Sequence, residues 1–203
     1  MLKLVSRDLE ILREVERWRF CLSRQIYDFT SFKSKSAFYR RLKLLVDHGY
    51  LTKKRYLYGL PAIYTVTIQA YKELAIPVKN NKVSVGILEH ELAVIDCYLY
   101  FKDKYKLESN AFQSERELRN EFTSSKHYPD IVFKKEDNDY CIEVEFSLKS
   151  PNSLERNIKE NYLNYEEQFW IIKKEHYRLN KLLEGLKQSY PNIKIILWEQ
   201  IEV

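Results

Sequence analysis

No stretch of this 203-residue chain is apolar for long enough to cross a membrane, although AVILMFWYC residues make up 45% of it. The basic-then-apolar opening of a secretory leader is missing as well, so the expected location is the cytoplasm. Cysteine is scarce. Cys21, Cys97 and Cys141 are the only three, spaced too widely for a zinc-ligand pattern or a redox pair. Free thiols in a reducing compartment are the simplest expectation. No segment repeats and no tract is low in complexity, which argues against a repeat array.

Charge is plentiful but unevenly divided. Residues 1–80 carry 16 Lys/Arg against 7 Asp/Glu, and the other 123 residues carry 18 against 22, so a net of +9 precedes a net of −4. A basic half suits phosphate binding and an acidic half suits a carboxylate metal site. Two ordinary solvated surfaces are the plain alternative.

The basic half reads as helix, helix, helix, hairpin. Leu9, Ile11, Leu12 and Val15 recur at helical spacing within residues 7–18, with Ser6 as the expected N-cap. A short second helix starts at Ser23. Ser34 or Ser36 caps a third, in which Phe38, Leu42, Leu45 and Val46 form the buried stripe and Gly49 marks the end. Two strands then flank Gly59-Leu60-Pro61. This order predicts a winged helix-turn-helix over residues 1–76. Lys35, Tyr39, Arg40 and Lys43 project away from the buried stripe, as a recognition helix requires. Ser36, Tyr39 and Arg40 are placed to touch base edges, while Lys33, Lys53, Lys54 and Arg55 are placed to neutralise phosphates. Between Lys33 and Arg55 there are eight basic residues and one acidic, which favours double-stranded DNA over the alternative of a protein-contact module.

Pro77 and an Asn pair break the periodicity, placing a linker at 77–86 and a second domain at 87–203. The spacing predicts a long amphipathic helix from Ile87 to about Tyr105, strands near 111–113, 129–134 and 140–147, and a polar helix at 152–165. A strand, a helix at 176–188 and a last strand complete the chain. The expected class is α+β, with helices packed on a mixed sheet. In Tyr140–Ser147, period two puts Cys141, Glu143, Glu145 and Ser147 on one face. Glu143 and Glu145 then stand roughly 7 Å apart, and Asp130 converges on them if the strands pair through the EDND turn. Such carboxylates suit a hard divalent cation, Mg²⁺ or Mn²⁺, that activates a water and stabilises charge on a phosphate. Lys149 is a candidate for a positive charge on that phosphate. Arg156, Asn157 and Lys159 are candidates for a DNA backbone track. A solvated acidic strand is the plain alternative.

LEHELAVIDCYLYF, SERELR, HYPDIVF and EVEFSLKS follow in that order across residues 88–150. They resemble the PD-(D/E)xK nuclease superfamily and, more narrowly, the replication-relaxation family and MobC-type plasmid relaxases, which pair a winged helix with a nuclease-like domain. The resemblance implies a restriction-endonuclease-like C-terminal domain and a role at a plasmid or integrative-element origin, with relaxosome or replication proteins as partners. It makes Asp130 and Glu143 the acidic metal ligands, and His90 and Glu91 in the long helix further members of the site. Glu145 stands where the superfamily usually has lysine, a departure that leaves Lys149 to supply the charge. Tyr128 beside Pro129-Asp130 is a tyrosine-nucleophile candidate with a structural alternative. No His-x-His pair is present to bind metal as in the commonest relaxase class.

Three functions follow as expectations: a metal-dependent nickase targeted by its winged helix, a non-catalytic DNA-binding accessory or replication-control protein, and a winged-helix transcriptional regulator.

Overall fold

The computed structural model describes residues 2–79, 83–122, 127–147 and 150–201. The chain divides into two compact units, Met1–Ile95 and Asp96–Val203. The division falls within a helix, downstream of the 77–86 segment.

The first unit runs α1 (Ser6–Arg17), β1 (Cys21–Leu22), α2 (Ser23–Asp28), α3 (Lys35–Asp47), β2 (Leu51–Lys54), β3 (Ile63–Val66), α4 (Ile68–Leu74) and the start of α5 (Val85–Tyr105). Its antiparallel sheet has the order β1-β3-β2. The N-cap of α1 is Val5, not Ser6 as expected. Asp8, three residues on, reaches back to accept the Val5 N–H at 2.7 Å and so does the work of a capping side chain. Asp8 is fully buried and also accepts from Arg41 of α3, through Nε at 2.7 Å and through Nη2. The pair therefore ties α3 to α1. Phe38, Leu42 and Leu45 are buried along α3, and Ser34 rather than Ser36 provides its cap. Gly49, at φ +74°, turns the chain out of α3 in the left-handed region, where glycine is favoured. Thr67 starts α4 by accepting the Ala70 N–H at 3.3 Å, and its hydroxyl donates to the Gly49 carbonyl at 2.6 Å.

The second unit takes the end of α5, then β4 (Phe112–Ser114), α6 (Glu115–Glu121), β5 (Ile131–Lys135), β6 (Asn138–Glu145), α7 (Pro151–Asn164), β7 (Gln168–Ile172), α8 (Tyr177–Leu186) and β8 (Ile193–Leu197). The sheet order is β4-β5-β6-β7-β8. β4, β5 and β6 pair antiparallel, whereas β6, β7 and β8 pair in parallel through the helical crossovers α7 and α8. The class is thus α+β with a five-stranded mixed sheet. One face is aromatic: Phe101 of α5 packs against Phe133 and Phe169, and Tyr140 stacks on Phe133 with centroids 5.1 Å apart. The other face buries Leu154 and Ile158 of α7 and Leu179 and Leu183 of α8 against Trp170, Ile172 and Ile193.

Among the described residues no helix is long and apolar enough to cross a membrane. The three cysteines are free and buried.

Candidate functional site

In the first unit the predicted DNA-facing residues share one surface property. Lys33, Lys35, Ser36, Tyr39, Arg40, Lys43, Lys53, Lys54 and Arg55 are all exposed. The reason is local. In α3 the stripe Phe38-Leu42-Leu45 faces the core, so the positions between its members point outward. In β2 only Leu51 is buried and the next three residues are exposed, as suits a strand at the sheet edge. Not every cation is available. Lys43 is 2.5 Å from Asp47 one helical turn on, and Arg41 is committed to Asp8. Lys54 lies over the Tyr56 ring at 4.9 Å, which orients its ammonium without neutralising it. Tyr39 is 47% exposed, and Tyr58 in the β2–β3 loop is fully exposed. Sequence reading missed Tyr58. Its signal was an apolar side chain beside Gly59, at a turn with no core to enter.

In the second unit, β6 alternates as expected. Residues Lys135 and Asn138 close the β5–β6 hairpin, and Ile131 pairs with Ile142. One step further, this register sets Asp130 opposite Glu143. In parallel pairing, Glu143 neighbours Trp170 and Glu145 neighbours Ile172, both on the face covered by α7 and α8. The solvated-strand alternative therefore fails: Glu143 is 2% exposed and Glu145 3%.

The partners of these carboxylates come from the protein itself. Glu143 Oε1 contacts His127 Nε2 at 2.5 Å and accepts from Asn161 Nδ2 of α7 at 2.8 Å. Asp130 Oδ2 accepts the Val144 N–H at 2.7 Å. Glu145 Oε1 accepts from both Ser147 N, at 3.1 Å, and Ser147 Oγ, at 2.8 Å. Burial pushes the Glu143 carboxyl above the usual carboxylate range; the hydrogen bond from His127 pulls it back, and the neighbouring charge of Asp130 pushes it up again. Among the described residues no three His, Cys, Asp or Glu side chains are grouped so as to hold a metal ion. One oxygen of each carboxylate, Glu143 Oε1, Asp130 Oδ2 and Glu145 Oε1, faces an N–H or O–H donor of the protein.

Lys149 lies outside the described residues. Glu91 is 3.9 Å from Arg19, an ion pair within the first unit, and His90 precedes it on the same part of α5. Glu115 pairs with Arg119 at 2.7 Å, and its N–H donates to the Asp130 carbonyl at 2.9 Å, so α6 is fastened to the start of β5. The Tyr128 hydroxyl donates to the Phe122 carbonyl at 2.9 Å. Asn157, expected on a DNA track, is buried on the sheet-facing side of α7, whereas Arg156 and Lys159 are exposed. Sequence reading missed His127 and Asn161. His127 stood in the HYPD motif three residues before Asp130, but nothing in the spacing paired either residue with Glu143.

No family model matches the chain, and neither a curated protein nor a solved structure matches it.

Proposed function

We propose that this protein binds double-stranded DNA through α3 and the β2–β3 hairpin, and that it acts at an origin-type site as a non-catalytic accessory or replication-control protein. The supporting observation is the exposed basic surface of the first unit, where two adjoining elements present Lys33, Lys35, Arg40, Lys53, Lys54 and Arg55 outward. Phosphate contacts of this kind give affinity and register, and Arg40 with Ser36 and Tyr39 supplies the side chains suited to base edges. In this reading the first unit is a winged helix and the second a nuclease-like scaffold retained for assembly. The engagement of Asp130, Glu143 and Glu145 by internal donors supports binding without cutting.

Selection of bound duplexes from a random pool tests the proposal. The wild type is expected to enrich one motif, and Arg40→Ala to lose discrimination at one position while keeping most of its non-specific affinity. Failure to enrich any sequence would sink the site-specific reading. Supercoiled plasmid carrying the selected motif is expected to stay supercoiled with Mg²⁺ or Mn²⁺. A metal-dependent nick that disappears in Glu143→Gln would restore the nickase.

A further inference from the structure

Glu143 is the most deeply buried carboxylate of the second unit, and it has been given two donors. His127 Nε2 lies 2.5 Å from Oε1 and Asn161 Nδ2 lies 2.8 Å from the same atom. A carboxylate oxygen offers about two lone-pair directions. Both directions on Oε1 are filled. A hard divalent cation would need to sit about 2.0–2.6 Å from a carboxylate oxygen, the shell His127 already occupies. The donors are themselves fixed. His127 is pinned by its backbone N–H to Glu160 Oε2 at 3.1 Å, and Asn161 is 1% exposed on α7. Asp130, across the hairpin, is committed to the Val144 N–H. Two acidic groups stand opposite each other on neighbouring strands, and the compensation comes from N–H groups on two flanking segments.

We infer that His127 and Asn161 are the resident substitute for a cation at this acidic site, filling the two positions on Glu143 Oε1 that a metal would otherwise take. The inference rests on the non-catalytic reading proposed above and gives it a physical cause. The scaffold keeps its carboxylates because His127 and Asn161 hold α7 and the segment before β5 against β6. It follows that opening the site creates metal binding. His127→Ala removes one donor, and Asn161→Asp replaces the other with a third carboxylate of the same shape, so that like charges around Glu143 demand a cation.

The test uses the full chain, with Mn²⁺ as the probe, read by titration calorimetry and by thermal unfolding in chelator and in millimolar Mn²⁺. Wild type is expected to bind no equivalent of Mn²⁺ at this site and to show the same midpoint in both conditions. His127→Ala and Asn161→Asp are each expected to lose stability in chelator, to bind one equivalent of Mn²⁺ and to recover several degrees of midpoint with the metal. That recovery is expected to vanish when Glu143→Gln is added. A variant that does not fold in chelator is judged by whether Mn²⁺ restores folding. The inference is overturned if wild type binds Mn²⁺ in a manner lost in Glu143→Gln, or if neither opened variant binds. DNA affinity measured in chelator reads the first unit separately: its absence would count against the DNA-binding proposal and not against this one.

Discussion

Stripping charge from the β2–β3 hairpin should change how DNA affinity responds to salt, by an amount the structure lets us estimate. Of the exposed cations on this surface, Lys43 is held by Asp47. Lys33, Lys35, Arg40, Lys53, Lys54 and Arg55 have no carboxylate partner among the described residues. If each of these except Arg40, which is assigned to base edges, meets one phosphate, the slope of log K against log salt is about −4.5, and affinity falls about five-hundredfold between roughly 50 and 200 mM salt. Replacing Lys53, Lys54 and Arg55 together by alanine removes three of those five contacts. The expected slope is then about −1.8, with a fall of only about twelvefold over the same range. All three residues are exposed on or beside an edge strand, so the fold is not at stake. Fluorescence anisotropy of a labelled duplex across a salt series measures both slopes. A wild-type slope near zero would refute the electrostatic argument. An unchanged slope in the triple variant would move the DNA to another surface.

Asp8 and Arg41 should show strong coupling. Their double-mutant cycle to alanine is expected to give about 1.5–3 kcal/mol, towards the lower end because Arg41 keeps 22% of its side chain exposed; a value under about 0.5 kcal/mol would mean the pair does not hold α3. The two glycines make opposite predictions. Gly49→Ala forces a left-handed alanine whose Cβ meets Gln69 Oε1 at 3.3 Å, and is expected to cost about 1 kcal/mol or more. Gly185→Ala lies within α8 in open space and is expected to stabilise by about 0.5–1 kcal/mol; denaturant midpoints distinguish the two signs. Burial pushes the thiols of Cys97 and Cys141 well above their usual value, so thiolate is depleted near neutrality. A thiol reagent at about pH 8 should label neither in the native protein and all three cysteines after denaturation. Rapid native labelling of Cys97 or Cys141 would contradict their packing.

What could be read in advance was whatever depends on neighbours in sequence. Alternation in β6 placed Cys141, Glu143 and Glu145 on one face because the strand period is local, and the Phe38-Leu42-Leu45 stripe located α3 for the same reason. The cap of α1 was misassigned because a serine beside the apolar run looks like a cap, whereas the acceptor came from Asp8, whose position is also set by Arg41 far along the chain. α4 went unread: its seven residues follow β3 with only Thr67 between, and strand-forming side chains masked the start of the helix. The environment of Glu143 was the deepest miss. Whether a Glu-x-Glu strand faces solvent, a metal or a helix is decided by what α7 lays over it, and α7 carries an ordinary polar pattern broken only by Asn157 and Asn161 turned inward.

The sheet also joins two kinds of pairing with different folding demands. The β5–β6 hairpin closes over Glu136 and Asp137 alone, with Glu136 in the left-handed region at φ +57°, so its contacts form between near neighbours. β7 and β8 add in parallel only after α7 and α8 have crossed the sheet, which carries a larger loop-closure entropy. The expected order is therefore hairpin first and parallel half last. Until α7 docks, the acidic side of β6 stands open to water, so the closure over Glu143 is a late event in the life of the chain. Amide protection appearing in β7 before β5 and β6 in a pulsed exchange experiment would reverse that order.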